Sequence, residues 1–237
     1  MTEAAYDEIA EWYETDFLPH QRQDGENREF ADLIGIDQAI AELLGPGTGI
    51  CLEVGCGTGI YAERVRSLGR RPVGVDLSAG MLRYAVARLP VVRGHAAHLP
   101  FATGSVDAVI GVMIHSDMRS FGDVVAQIHR VLRPGGVFVH VGVHPCFIGD
   151  FADRSEPTRA VIGPGYLVEG WTPPISPTTG DVGTSGQVRD KVGAAHYTMA
   201  TLLNMFAERG FQIGRTSEGG APTPITFSLR LLKKDGP

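Results

Sequence analysis

The sequence predicts an α/β fold: a three-layer sandwich around a seven-stranded, mostly parallel sheet with an antiparallel C-terminal edge hairpin. Two observations predict it. Short apolar runs alternate with helical patterns between residues 48 and 143, and repeated β-α-β units imply parallel strands with helices on both faces. Beyond residue 196, a helical pattern leads into two strand-like runs that pair antiparallel on the sheet edge.

Residues 1–44 read as a helical cap. Ala5, Ile9, Trp12 and Tyr13 share one face, and a second helical pattern runs from about Glu26 to Leu44. "GPGTG" then breaks the chain, and residues 45–143 form the core. "ICLEV" is a buried strand and "GIYAERVRSLG" a helix closed by Gly69. "PVGVD" is a strand, followed by the helix "SAGMLRYAVARL" with Ser78 as its N-cap. The strands "VVRGH" and "VDAVIGVM" follow, then the helix "FGDVVAQIHRVL", stopped before Pro134, and the strand "GGVFVHVGV". Residues 144–195 lose this pattern. They are rich in Gly, Pro, Ser and Thr, with Phe147, Phe151, Tyr166 and Trp171 interleaved, which suits a substrate lid. Residues 196–237 complete the core with the helix "TMATLLNMFAERG" and the runs "FQIGRTS" and "ITFSLRLLKK".

Composition narrows the partners. The 237 residues are 43% hydrophobic, with 21 basic and 27 acidic side chains and a net charge of -6. That balance argues against a nucleic-acid backbone as the main partner. Cys51, Cys56 and Cys146 show neither disulfide nor zinc spacing, so they read as reduced thiols in a cytoplasmic protein with no metal site. The acidic, amphipathic N-terminus has no signal-peptide pattern, and no apolar run reaches the length of a membrane span.

The chemistry concentrates in "CLEVGCGTG". A Gly-rich turn between strand and helix lets a ligand approach the backbone and meet helix N-terminal amides. Gly55, Gly57 and Gly59 flank Cys56 and Thr58, while Ile60 stands where a dinucleotide fingerprint places its third glycine. Glu53, two residues before the first glycine, would repel a pyrophosphate. It suits a cationic ligand bearing an amino group.

These residues, with "VGVDLSAGML", "HAAHLPFATGSVDAVI" and "RVLRPGG", resemble four ordered motifs of class I S-adenosylmethionine-dependent methyltransferases over about residues 48–143. The nearest resemblance is to the branch of ubiquinone, menaquinone and other small-molecule methyltransferases. It implies a Rossmann-like fold and S-adenosylmethionine as cofactor, with S-adenosylhomocysteine as product. It implies that Asp76, followed by Leu77, holds the ribose hydroxyls, that Met81 and Met113 pack near adenine, and that Gly55, Cys56, Gly57 and Gly59 cradle the ligand. His95 stands where the family often has an aspartate that accepts from adenine; its imidazole or the backbone of Ala96 takes that role. Tyr6 or Tyr13, on a helix like those that close over the cofactor, contacts cofactor or substrate.

The expected reaction is methyl transfer to oxygen, nitrogen or carbon of a small organic molecule, a specialised metabolite, by a monomer or homodimer. Phe147, Tyr166 and Trp171 are candidate substrate contacts. A base is needed only for a nucleophile that must lose a proton. His144, one step past the fifth strand and fixed by Pro145, is the first candidate; His115 and His196 are the others. The rival readings are a tRNA methyltransferase, an NAD-dependent oxidoreductase and a non-enzymatic nucleotide-binding module.

Overall fold

The computed structural model describes residues 4–18, 35–156, 158–175 and 187–234. Helix α1 (Ala5–Trp12) continues as a wider π-type turn over Tyr13–Phe17. Helix α2 (Ile36–Leu44) is the described part of the second expected helix; residues 26–34 lie outside the described residues. Strand β1 (Ile50–Val54), helix α3 (Ala62–Ser67), strand β2 (Arg71–Asp76) and helix α4 (Ala79–Ala85) follow. Ser78 caps α4 as expected, its Oγ accepting from the Met81 N–H at 3.0 Å. Strand β3 (Val91–Arg93), strand β4 (Val106–Val112), helix α5 (Phe121–Val131) and strand β5 (Leu132–Val143) complete the alternating core.

Residues 144–195 carry more structure than their composition suggests. Strand β6 (Ala152–Asp153) pairs with β7 (Val161–Ile162), and β8 (Gly170–Thr172) pairs with β9 (Ala194–His196), both antiparallel. Helix α6 (Gln187–Val192) precedes β9. Strands of two or three residues are too short to show an alternation in sequence. The stretch 176–186, which includes most of "WTPPISPTTGDVGTSG", lies outside the described residues. Helix α7 (Met199–Glu208) then leads to β10 (Phe211–Gly219) and β11 (Thr226–Lys233).

The main sheet has seven strands in the order β10-β11-β5-β4-β1-β2-β3. All neighbours from β5 to β3 are parallel, while β11 runs antiparallel to both β5 and β10. The seven strands and the antiparallel edge agree with the sequence reading. Alternation along the strands feeds two apolar layers. Leu52, Val109 and Phe138 pack with Phe121, Ile128, Leu202 and Phe206 on one side. Cys51, Ile110 and Val139 pack with Ile40, Leu43, Leu44 and Val65 on the other.

The basic residues of β11 close helix ends. Arg230 donates to the carbonyls of Leu43 and Leu44, and Lys233 Nζ donates to those of His129 and Leu132 at 2.7 Å each. Cations at helix C-termini satisfy orphan carbonyls and the helix dipole together. No helix among the described residues is long and apolar enough to cross a membrane.

Candidate functional site

In an open α/β sheet, ligands bind beyond the carboxyl ends of the strands where the chain order reverses. Here the reversal lies between β1 and β4, which pair directly. Beyond β1, Gly55, Gly57 and Gly59 adopt φ of 65°, 52° and 76°, a region that only glycine enters at little cost. A Cβ on Gly57 would meet no protein atom within 4 Å, so this turn leaves its backbone open. A Cβ on Gly55 would lie 2.7 Å from Ile114 Cγ2, so the turn after β4 rests directly on the loop.

Two carboxylates frame the loop. Asp76, at the end of β2, accepts from the Gly57 N–H and the Ser78 N–H at 2.8 Å each, fastening both turns to one side chain. Burial raises its carboxyl above the usual range, against the pull of those N–H groups. Glu53 is 2% exposed, and its Oε2 has no hydrogen-bond partner among the described residues. Burial first, and then the charge of Asp76, pushes it up to about 8. A buried, unpaired carboxyl beside a second one is a site for a cation with N–H donors.

The other expected cofactor residues surround this frame. Cys56 is buried, with its Sγ packed where a Cβ on Gly74 would stand, at 2.6 Å. Burial and the two carboxylates push its thiol far up, so it is a packing residue and no nucleophile. Met81 is buried, and the Leu77 carbonyl accepts from Arg93 Nε at 3.0 Å. His95 is exposed and caps the turn over residues 96–98, which opens with Ala96, its Nδ1 accepting from the Ala97 N–H at 3.1 Å. Met113, just past β4, has φ 59° and donates its N–H to the Val141 carbonyl at 2.7 Å. A left-handed methionine is backbone strain held in place by its neighbours.

Helix α1 joins the site through polar groups on its inner face. Asp7 Oδ1 accepts from the Ser78 hydroxyl and the Gly80 N–H at 2.7 Å each. Burial opposes its ionisation, but these donors hold its carboxyl below the usual range. The Tyr6 hydroxyl donates to Asp117 Oδ2 at 2.7 Å, and the Tyr13 ring meets Tyr6 edge-on at 6.2 Å. Glu14 pairs with Arg88, which also donates to the Thr58 carbonyl of the glycine loop at 2.7 Å.

The three histidine candidates separate clearly. His144, the first candidate base, has partners at both ring nitrogens. Its Nδ1 accepts from the Cys146 N–H at 3.1 Å and its Nε2 meets Glu218 Oε1 at 2.8 Å. Both nitrogens are engaged, and the 2% exposed ring ties β5 to the edge strand β10. Phe147 packs on this ring at 4.6 Å. His196 directs Nε2 to the Tyr166 carbonyl at 2.7 Å, in a cluster with Phe151 and the Tyr166 ring. Trp171, on the strand paired with that of His196, lies under the guanidinium of Arg119 at 4.5 Å.

His115 lies at the crevice but is 2% exposed, 5.1 Å from the His140 ring. Burial first, then His140, Arg189 and His196, keeps it well below the ordinary histidine range. Burial alone pushes His140 down to about 3. Both rings are neutral and weakly basic.

Sequence reasoning missed Asp7, Glu14 and Asp117. The acidic residues of the amphipathic segment 5–17 were the available signal for the first two, without showing which of them face inward. An acid two residues past His115 was the signal for the third.

Residues 52–140 match the family of methyltransferase domains. The chain is 36% identical over 81 residues to a probable S-adenosylmethionine-dependent methyltransferase of Mycolicibacterium smegmatis, covering 33% of this chain and 32% of that protein. It is 42% identical over 72 residues to the demethylmenaquinone methyltransferase of Corynebacterium kroppenstedtii, covering 29% and 30%. These matches span about a third of the length of the curated relatives. A crystal structure of an S-adenosylmethionine-dependent methyltransferase from Mesorhizobium loti superposes with a TM-score of 0.64 over 83% of this chain and 95% of that one, at 21% identity. Residues 52–140, with their glycine loop framed by Glu53 and Asp76, thus match a methyltransferase domain, and the sheet order gives the chain the fold of the S-adenosylmethionine-dependent methyltransferase on which it superposes.

Proposed function

We propose that the chain transfers a methyl group from S-adenosylmethionine to a small organic acceptor. The observation that carries this reading is the buried Glu53 carboxyl, with Oε2 unpartnered among the described residues, beside Asp76 at the open glycine turn. The donor set fits the cofactor. Glu53 suits an α-ammonium, and Asp76 keeps acceptor capacity for a ribose hydroxyl beyond the Gly57, Leu77 and Ser78 N–H groups it already accepts from. Bound there, S-adenosylmethionine supplies an electrophilic methyl group on a sulfonium. The chain's own work is to orient the acceptor and exclude water. A pyrophosphate would meet the same two carboxylates at close range, which disfavours NAD.

The small-acceptor reading rests on the net charge of -6 and on the aromatic cluster Phe151–Tyr166–His196 contributed by residues 144–196. We treat residues 144–195 as the acceptor-binding lid and residues 4–18 as part of the cap. The test is calorimetry with S-adenosylhomocysteine, NAD and tRNA. Binding of the first alone is expected. Asp76→Ala should weaken it by about 2 kcal/mol or more, as for loss of a charged acceptor. Unchanged affinity in that variant refutes the assignment.

A further inference from the structure

The turn after β4 holds a carboxylate that no expectation from the sequence included. Asp117 follows Ile114, whose side chain rests on Gly55, and precedes Met118, whose Cε stands 3.5 Å from the position of a Gly55 Cβ. Asp117 is therefore carried on the turn that touches the glycine loop. Its Oδ2 accepts from the Tyr6 hydroxyl at 2.7 Å, and Ser116 Oγ donates to Oδ1 at 3.3 Å. Each oxygen keeps a free lone pair.

We propose that Asp117, oriented by Tyr6, is the catalytic base of this site, and that the acceptor carries a hydroxyl group. This rests on the methyltransferase reading above. In the step, the acceptor O–H bond breaks and its proton passes to an Asp117 oxygen. The acceptor oxygen forms its bond to the transferred methyl, and the electron pair of the broken carbon–sulfur bond stays on sulfur, leaving a neutral thioether. Asp117 returns the proton to solvent afterwards.

The surroundings favour this assignment over the histidines. Asp117 is faced by Tyr6 from α1, Asp76 from β2 and Arg189 from α6, with Ser116 and His115 on its own turn and His196 of β9 beside His115. Burial, the largest effect, pushes Asp117 up to about 6; the Tyr6 and Ser116 hydrogen bonds and Arg189 pull it down, and Asp76 pushes it up. It is therefore ionised at neutral pH yet more basic than an ordinary carboxylate. His115 is left neutral and less basic than free imidazole. The Tyr6 phenol is raised well above its usual value, by burial first and then by Asp117, so it remains a donor.

The test uses the whole chain and three probe acceptors of rising acidity: phenol, 4-chlorophenol and 4-nitrophenol, with tritiated S-adenosylmethionine. Calorimetry with S-adenosylhomocysteine and carboxyl-carbon NMR of labelled aspartate run alongside. The parent should methylate the probes with a rate that rises through about pH 6, and one carboxyl resonance titrating there should vanish in Asp117→Asn. Asp117→Asn should keep S-adenosylhomocysteine affinity and lose about 100-fold or more on phenol. It should lose far less on 4-nitrophenol at pH 8, where that acceptor is already ionised. Tyr6→Phe removes a hydrogen bond to the ionised carboxylate, so the resonance and the rate limb should both move to higher pH.

Equal losses on all three probes, or unmoved titrations in Tyr6→Phe, overturn the base assignment. A parent that binds S-adenosylhomocysteine but methylates no probe overturns the hydroxyl acceptor and leaves the methyltransferase reading standing. A parent that does not bind S-adenosylhomocysteine overturns that reading itself.

Discussion

Replacing Glu53 with glutamine isolates the charge at the centre of the proposed cofactor site. With Glu53 held at about 8, roughly nine-tenths of the carboxyl groups are protonated at pH 7, and ionising one there costs about 1.4 kcal/mol. A ligand ammonium that takes this carboxylate must displace the proton. Binding of S-adenosylhomocysteine at pH 7 should therefore release about 0.9 proton from Glu53. The assay is calorimetry in phosphate and in Tris, whose ionisation enthalpies differ. The parent enthalpy should depend on the buffer, and the Glu53→Gln enthalpy should depend on it much less. Affinity should also fall by about 1.5–3 kcal/mol, as for a lost charged hydrogen bond. Stability without ligand gives an independent check. The folded chain keeps this proton to about pH 8 while an unfolded glutamate releases it near 4.5, so the native state binds more protons across that window. Parent stability should fall as pH rises through it, and Glu53→Gln should flatten the slope. An equal buffer dependence in parent and variant would refute the reasoning.

Three further outcomes are expected. His144→Gln should lower stability by about 1–3 kcal/mol in urea titration, through its buried hydrogen bonds, and leave S-adenosylhomocysteine affinity unchanged; weakened affinity without a stability loss would show that the ring serves the ligand. Gly142→Ala places a Cβ 2.3 Å from His115 Nδ1 and 2.8 Å from His140 Nε2, so overpacking should cost about 1–3 kcal/mol in the same titration. Gly57→Val meets no protein obstacle, so its loss of stability should stay near the 1–2 kcal/mol of a left-handed branched residue, while calorimetric affinity for S-adenosylhomocysteine disappears.

The sheet was legible because its strands are apolar blocks separated by glycines and by a capped helix, all signals within ten residues of one another. Glu53 and Asp76 were legible for the same reason, since each ends a strand beside a glycine turn. His144 was placed at the correct edge, but its direction depends on Glu218, 74 residues later, and strand position alone carries no such information. The Tyr6–Asp117 contact spans 111 residues. Periodicity places Tyr6 on an inner face without saying what that face meets. The Gly170–Thr172 strand finds its partner beyond a 21-residue gap, outside the reach of any local pattern.

Met113 shows how such a turn is kept in one shape. Glycine at this position would relieve about 1–2 kcal/mol of left-handed strain but would add a comparable freedom to the unfolded chain. Those two effects offset each other, but glycine would also forfeit the packing of the Met113 side chain against the apolar layer of Ile110 and Val139, so its net effect on stability is a loss. Stiffness differs as well. A methionine at φ 59° has few neighbouring conformations to visit, whereas glycine has many. The turn that carries Asp117 thus owes its definition to a residue that fits its backbone poorly and is held there by the packing of its side chain.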